Sequence, residues 1–443
     1  MGFEELNESA IATAKKLGVD DAVALTVSGK EQMIRFANNS VTVVNNLEEA
    51  ELTVYLAKDA RKAIASTSNV EESNVKRFVK DLFLSMRRLT KSEYVPLTAK
   101  ALKFTPNTSL YDKKLENVGD SLPDFAKRAI SASLDAGGKR SAGVIDASVV
   151  DYAILTTTGT KGTDSRSSIT LNIRSFGESD SSGHGLSCSA TLAGFDPEKA
   201  GKRAGQDAKR TATASEPEPG TYQLLVSPTV TSNLVESIAL SASAFAVDAG
   251  ISYLTDKVGK KVAADSFSLT DHGAIKGGLS GRGFDDEGMP TGSTSLVERG
   301  ILKGYLHNLT TASKWKTKTT GNAGLVSPRA WNLEVAAGDA TYDEMVSEIQ
   351  RGIILTSNWY TRFKNYRTGE FSTVPRDGAY FVEKGKVVKA LKGMRLSDDL
   401  QRMFSSVRML SKEREWIQWW EVHTPTLSPW MLFDGVKITR AYE

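Results

Sequence analysis

The sequence predicts an α+β protein: an N-terminal helix–antiparallel-sheet segment followed by a mostly antiparallel, barrel-like β domain with one long helix. Three observations predict it. Short β-like runs separated by turn residues fill residues 22–65, between two amphipathic helices. The cluster Glu216-Pro217-Glu218-Pro219-Gly220 punctuates the chain near its middle. Beyond it, one helical stretch is followed by many strand-like runs.

The first helix spans residues 3–17, with Phe3, Leu6, Ile11, Ala14 and Leu17 on one face and Gly18 as its stop. Strand-like runs follow at Ala22–Val27, Gln32–Phe36, Val41–Val44, Glu51–Leu56 and Arg61–Ala65. Ser28-Gly29, Asn38-Asn39, Asn45-Asn46 and Lys58-Asp59 read as the turns of an antiparallel meander. Residues 71–89 form the second helix, with Val75, Phe78, Val79, Leu82 and Phe83 on one face.

Residues 90–120 read as irregular, with Pro96, Pro106 and Asn107, and residues 121–136 as helical. Strands are expected at Ser141–Val149, Asp151–Thr157, Ser167–Arg174 and Ser187–Ala193, with a Ser/Gly-rich loop over Gly177–Gly185. A helix over 197–213 ends at the Pro/Gly cluster, because two prolines and a glycine in five residues stop it.

Three segments follow from this: 1–95 (N-terminal α+β), 96–216 (a second αβ segment) and 220–443 (β-rich). The last opens with strand Tyr222–Val226. Ser227-Pro228 then supplies an N-cap and an N1 proline for a helix running to about Val247. Strands are expected from Ser266 to Ile438, interrupted by helices at 341–351 and near Ser397–Arg408.

At about 150 residues per domain, 443 residues suggest two or three domains. The 40% hydrophobic and 25% charged content is that of a soluble globular protein. Cys188 is the sole cysteine, so no intrachain disulfide is possible; a reducing, cytoplasmic setting is expected. The net charge of +3, with basic and acidic residues interleaved, argues against nucleic-acid binding. Met1-Gly2-Phe3-Glu4-Glu5-Leu6 has neither the basic nor the apolar region of a signal peptide, and Leu6 departs from the myristoylation pattern. No run of about 18 apolar residues predicts a membrane span.

The stretch Leu234-Val235-Glu236-Ser237-Ile238-Ala239-Leu240 carries the sharpest chemical question. A zinc peptidase helix needs two histidines for the metal and a glutamate as general base for the metal-bound water. Here only Glu236 is present. By itself such a glutamate reads as a helix charge.

Four more motifs stand in order behind it: Ser252–Ala263, Gly281-Arg282-Gly283-Phe284-Asp285-Asp286-Glu287-Gly288-Met289-Pro290-Thr291, Leu296–Asn308 and Thr320-Gly321-Asn322-Ala323-Gly324. With the Ala65–Asn69 segment and the closing Ser428-Pro429 and Leu432–Ile438 runs, this set resembles the TldD/PmbA peptidase family, formerly called modulators of DNA gyrase. More closely it is similar to the PmbA (TldE) branch, and the resemblance covers nearly the whole chain.

In the TldD branch the helix carries His-Glu-x-x-x-His, with a later cysteine as third ligand. The resemblance places Val235 and Leu240 in the histidine positions, and no cysteine follows the boundary. It implies a chain that binds no zinc and lacks a catalytic residue of its own, paired with a TldD-like peptidase subunit or with itself as a dimer. The substrate would be unfolded or extended peptide. Arg282, Phe284, Asp285, Gly321 and Asn322 are the implied peptide-channel candidates, expected near Glu236.

Other candidates have plainer explanations. His184 and Cys188 read as a loop histidine and a packed cysteine; His272, His307 and His423 are scattered. Asp285-Asp286-Glu287 reads as an acidic hairpin turn. Gly277-Gly278 and Gly281-x-Gly283 do not join a strand to a helix, so no phosphate loop is expected. Trp416, Trp419 and Trp420 read as core or interface packing, or as an aromatic subsite for peptide side chains. Two other classes of function remain: a homodimeric peptide-binding scaffold without a peptidase partner, and a stand-alone hydrolase with a different site.

Overall fold

The computed structural model describes residues 2–97, 100–104, 110–178 and 180–440. Pro106 and Asn107, expected in an irregular stretch, lie outside them. In the N-terminal half, helix α1 (Phe3–Lys16) precedes β1 (Asp21–Ala37), β2 (Ser40–Lys58), β3 (Arg61–Thr67) and α2 (Glu72–Met86). Then come α3 (Leu122–Asp135), β4 (Arg140–Thr156), β5 (Lys161–Phe176), β6 (Ser182–Ser189) and α4 (Pro197–Arg210). The six strands form one sheet in the order β3-β2-β1-β4-β5-β6, antiparallel throughout.

The meander is present with fewer, longer strands than expected. Ser28-Gly29 is not a turn: these residues pair with Ala50-Glu49 on one side and Asp151-Val150 on the other, which holds β1 extended. Asn45-Asn46 likewise lies inside β2, opposite Met33 and Gln32. The real turns are Asn38-Asn39, at φ 50° and 64°, and Asp59-Ala60, at φ 50° and 60°. Such positive angles match hairpin twist and suit Asn and Asp. The two strands expected over 141–157 are also one, β4.

The loop expected over Gly177–Gly185 is a strand from Ser182 onward. Its glycines serve close packing. A Cβ on Gly183 would overlap the Ala204 carbonyl oxygen of α4, and one on Gly185 would overlap that of Ala200.

All four helices cover one face of the sheet. α1 and α2 bury Leu6, Ala10, Val75 and Val79 against Leu52, Val54 and Leu56. α3 and α4 bury Ala126, Ala129 and Ala200 against Ile34, Phe36, Ile145 and Leu171. The opposite face meets the C-terminal half: Val23, Leu25 and Ile154 pack with Phe284, and the Arg166 guanidinium donates to the Ser280 hydroxyl at 2.9 Å.

The C-terminal half begins with β7 (Gly220–Val226), α5 (Pro228–Ser241) and α6 (Ala244–Asp248). Next are β8 (Leu269–His272), β9 (Ser293–Glu298), β10 (Ile301–Leu302), α7 (Leu309–Lys314), β11 (Leu333–Val335) and α8 (Tyr342–Ser347). β12 (Arg351–Leu355), β13 (Asn358–Asn365), β14 (Glu370–Pro375), β15 (Ala379–Glu383), β16 (Lys386–Ala390) and β17 (Met394–Asp399) lead to α9 (Leu400–Ser405), β18 (Val407–Trp419) and β19 (Val422–Arg440). The thirteen strands form one branched, mostly antiparallel sheet along β10-β9-β8-β11-β19-β7-β12-β15-β16, with β13, β14, β17 and β18 off that path. The sheet does not close into a barrel.

Helix α5 is buried from Val230 through Ala239, polar side chains as well as apolar ones. The Ser227 hydroxyl caps it, accepting from the Val230 amide. The expected helix to Val247 breaks at Ala242-Ser243. There the backbone exchanges hydrogen bonds with Leu306 on both sides, Leu306 N–H to Ala242 at 2.8 Å and Ala244 N–H to Leu306 at 3.0 Å. The helix expected over 341–351 stops at Ser347, because Arg351 already pairs in β12.

Candidate functional site

Glu236 is buried on α5, and its carboxylate accepts the Thr424 amide of β19 at 2.6 Å. Burial raises its pKa above the usual carboxylate range, against the lowering effect of the Thr424 and His423 contacts. Val235 is fully buried in the core, whereas Leu240 is 64% exposed. Five residues on a helix turn the side chain by about 140°, so these two positions face different surroundings. Neither side chain has a lone pair, and the glutamate already holds an amide. These residues do not fit a zinc site. Among the described residues, no three His, Cys, Asp or Glu side chains are grouped to hold a metal.

One turn earlier, Asn233 faces the same hairpin. Its side-chain amide donates to the Glu421 carbonyl at 2.7 Å and its oxygen accepts from Asn358 at 2.8 Å. Glu421 in turn accepts the Tyr360 amide at 3.0 Å. Asn233 and Glu236 therefore clamp the β18–β19 hairpin onto α5. Sequence reasoning missed Asn233, Glu421 and Thr424. The available signal was an amide and a carboxylate, three apart, in a helix whose other polar residues are all serines and threonines.

Trp419 and Trp420 join Trp359 rather than Trp416, with ring centroids at 5.6 and 5.0 Å from Trp359. Trp416 lies against Gly277 instead. His184 packs on Trp419 at 4.7 Å and bonds Ser357 and Asn172, both at 3.0 Å. Burial lowers its pKa to about 4. Cys188 is half-buried; desolvation raises its thiol to about 12, and it meets Gln418. The two residues share no partner in these contacts.

The structure brings Arg282–Asp286 and Thr320–Ala323 together. The Ala323 amide donates to the Asp285 carboxylate at 3.0 Å, and the Asp286 amide donates to the Ala323 carbonyl at 3.0 Å. Arg282 is 2% exposed; its guanidinium pairs with Asp286 and lies about 5 Å from the rings of Tyr152 (4.9 Å), Phe284 (5.2 Å) and Trp331 (5.3 Å). The Asn322 amide donates to Asp271 at 2.6 Å and to the Arg329 carbonyl at 2.9 Å, while the Trp331 indole donates to the Gly321 carbonyl at 2.9 Å. All five candidate residues are buried, so in this conformation they brace loops rather than line an open surface. Glu236 bonds to β19 and takes no part in their hydrogen bonds.

Burial raises several carboxyls in and beside these loops: Asp271 of β8 to about 7, Asp285 to about 6, and Glu287, with Asp285 beside it, to about 8. A carboxyl raised on folding binds its proton more tightly in the native state. The stability it contributes is complete below the ordinary 4.5 and is lost as pH rises toward about 8. Glu287→Gln keeps an acceptor for the Leu309 amide, which Glu287 holds at 2.8 Å. The variant should melt at least about 4 °C above the native chain near pH ~9 and match it near pH ~5. An equal shift at both pH values in thermal scans would contradict this assignment.

Family models place the chain among known proteins. The PmbA/TldA metallopeptidase C-terminal domain matches residues 219–440, and the central domain of the same family matches 112–215. The chain belongs to the PmbA/TldD family. A metalloprotease of Methanocaldococcus jannaschii is 29% identical over 206 residues, 44% of this chain and 44% of that protein. The chain thus aligns with less than half the length of that curated relative.

Two solved structures share the fold over nearly the full length. A Thermotoga maritima protein described as a candidate modulator of a DNA gyrase has a TM-score of 0.88 at 24% identity, covering 99% of this chain and 100% of that one. TldE from Thermococcus kodakarensis has a TM-score of 0.86 at 19% identity, covering 98% and 100%.

In this PmbA/TldD-family chain, a cleft of 890 Å³ opens between α4, the start of α5, β16 and β18. Arg203, Asp207, Arg210, Tyr380, Val387 and Val388 contribute to its walls. Asp207 accepts the Tyr380 hydroxyl at 2.5 Å and the Thr356 hydroxyl at 2.9 Å; burial raises it to about 6. Glu415 is half-buried, and paired Arg203 and Lys199 hold it at about 2. A second cleft of 550 Å³ separates β1–β3 from α6 and the Glu287 and Val326 loops. No helix among the described residues is long and apolar enough to cross a membrane.

Proposed function

We propose that this chain is a non-catalytic, TldE-like subunit of a two-chain peptidase that acts on unfolded or extended peptides. The observation that carries this reading is the apolar pair Val235 and Leu240, flanking a glutamate whose carboxylate is spent on the Thr424 amide. A water-activating metal has no donor set here. The partner would be a TldD-like chain that carries the histidines, and this chain would shape the peptide path. Peptide would be held extended, since strand edges pair with any backbone regardless of sequence. The buried Arg282, Phe284, Asp285, Gly321 and Asn322 would fix the shape of the loops along that path.

The test is zinc analysis together with peptidase assays on the purified chain, alone and mixed with a histidine-bearing paralogue. Activity only in the mixture, without stoichiometric zinc in this chain, is expected. Stoichiometric zinc and cleavage by this chain alone would overturn the reading. Glu236→Gln should leave the activity of the reconstituted pair within a few fold of the native pair. A loss approaching the ~10²–10⁴ of a general base would make Glu236 catalytic.

A further inference from the structure

The 550 Å³ cleft between β1–β3 and the loops of the C-terminal half combines apolar walls with a carboxylate that is only half used. Val23, Leu97 and Leu325 line it, and Ile64, Phe245 and Val326 stand partly open at its sides. Glu287 lines it as well. One oxygen of Glu287, Oε2, accepts the Leu309 amide at 2.8 Å; among the described residues nothing donates to the other, and no cation forms an ion pair with it. The Tyr55 hydroxyl faces the same cleft within reach of the Glu287 charge, and it too makes no hydrogen bond among the described residues. The other charged groups at the cleft are placed differently. Asp248 is held by Lys314 and by the Trp315 indole, both at 3.0 Å, and Glu93 is exposed. Lys62 lends its charge to Glu287 without pairing with it.

We infer that this cleft binds a primary ammonium at the end of an aliphatic stem, the group that a lysine side chain or a free alkylamine carries. The ammonium would sit between the unused Glu287 oxygen and the Tyr55 hydroxyl, with the stem along Val23, Leu97 and Leu325. A long cationic side chain buries its stem in this way and keeps its charge for a partner. Other ligands fit worse. An anion would be repelled by Glu287. A hard divalent cation takes about six oxygen ligands, and these walls are largely apolar. A guanidinium engages both oxygens of a carboxylate in parallel, and the Leu309 amide already occupies one. An ammonium is a point charge that needs only the other. Burial and the Asp285 charge bring Glu287 to about 8, against the Leu309 amide and Lys62. Ammonium binding is therefore strongest between about 8 and the ~10.4 of a lysine amine, and is lost as the acid takes its proton below that range.

Calorimetric titration of the full chain with n-hexylamine and with n-hexanol tests the inference. At pH ~9 the amine should bind about tenfold or more tightly than the alcohol, the scale of a charge-assisted hydrogen bond. At pH ~6, where Glu287 is protonated, the two should bind alike. Glu287→Gln keeps an acceptor for the Leu309 amide; it should abolish the preference for the amine at pH ~9 and leave the alcohol unchanged. Capped Ala-Lys-Ala separates the two sources of the ammonium. Displacement of hexylamine by this peptide assigns the site to a lysine side chain, and no displacement assigns it to a free alkylamine. Three results would overturn the inference: an amine that binds no more tightly than the alcohol at pH ~9, a preference that survives Glu287→Gln, or capped Ala-Arg-Ala displacing hexylamine better than Ala-Lys-Ala does. Binding is read on this chain alone, so the outcome is independent of the peptidase reading.

Discussion

Arg282→Ala should lower the unfolding free energy by about 3–5 kcal/mol, the cost of removing one partner of a buried ion pair. Arg282 is among the largest fully buried side chains of the protein. Its removal strands Asp286, whose other cation, Arg329, is 3.7 Å away. It also takes away the cation lying over Tyr152, Phe284 and Trp331 and the bond from Nε to the Phe284 carbonyl. Denaturant unfolding measures the loss. A cost near the ~0–1 kcal/mol of a surface pair would mean that the cluster is dispensable. The double variant Arg282→Met, Asp286→Leu should recover part of the loss, because no charge is then left buried alone.

Gly321→Ala should cost about 2–5 kcal/mol. Gly321 sits at φ +70°, where a side chain meets its own backbone at roughly 1–2 kcal/mol. The added Cβ would also overlap the Pro290 carbonyl oxygen and stand 2.9 Å from the Thr291 Cα, so the two loops must part. Gly304→Ala is the matched control: its Cβ would meet nothing within 4 Å. Unfolding curves should shift strongly for the first and stay within about 0.5 kcal/mol for the second, the range of neutral surface changes. Equal shifts would show that the close approach at Gly321 is not what sets the cost.

Much of this architecture could be read from residue patterns, because those patterns answer to local physics. The amphipathic period placed α1, α2 and α3, and proline chemistry placed the start of α5. The errors arose where a distant partner overrides a local preference. Ser28-Gly29 looks like a turn until strands on both sides hold it straight. His184 looks like part of a loop until α4 packs directly on its flanking glycines.

The same holds for the site. The meeting of residues 282–286 with 320–323 was anticipated only as a shared channel, whereas the contacts are buried braces. The clamp of Asn233 and Glu236 on the hairpin joins residues 188 apart in sequence, and no window on the sequence contains both ends. Trp359 was likewise absent from the expected aromatic cluster, because it arrives from β13.

The last described strand, β19, has a consequence for how the molecule is made. β19 pairs with β7, β11, β17 and β18 and lies in the middle of the large sheet. Its segment is synthesised after every other described strand. The N-terminal sheet has all its strands once Ser189 has emerged, and can form during synthesis. The C-terminal half cannot. Until Val422–Arg440 is free, β7 and β11 each lack a neighbour, and the face of α5 that carries Asn233 and Glu236 has no hairpin to hold. Completion of that half must therefore wait until β19 has emerged, and it waits on pairings of long sequence separation, the slow kind. During that interval the apolar strands of the larger sheet stand open to chaperones and to each other.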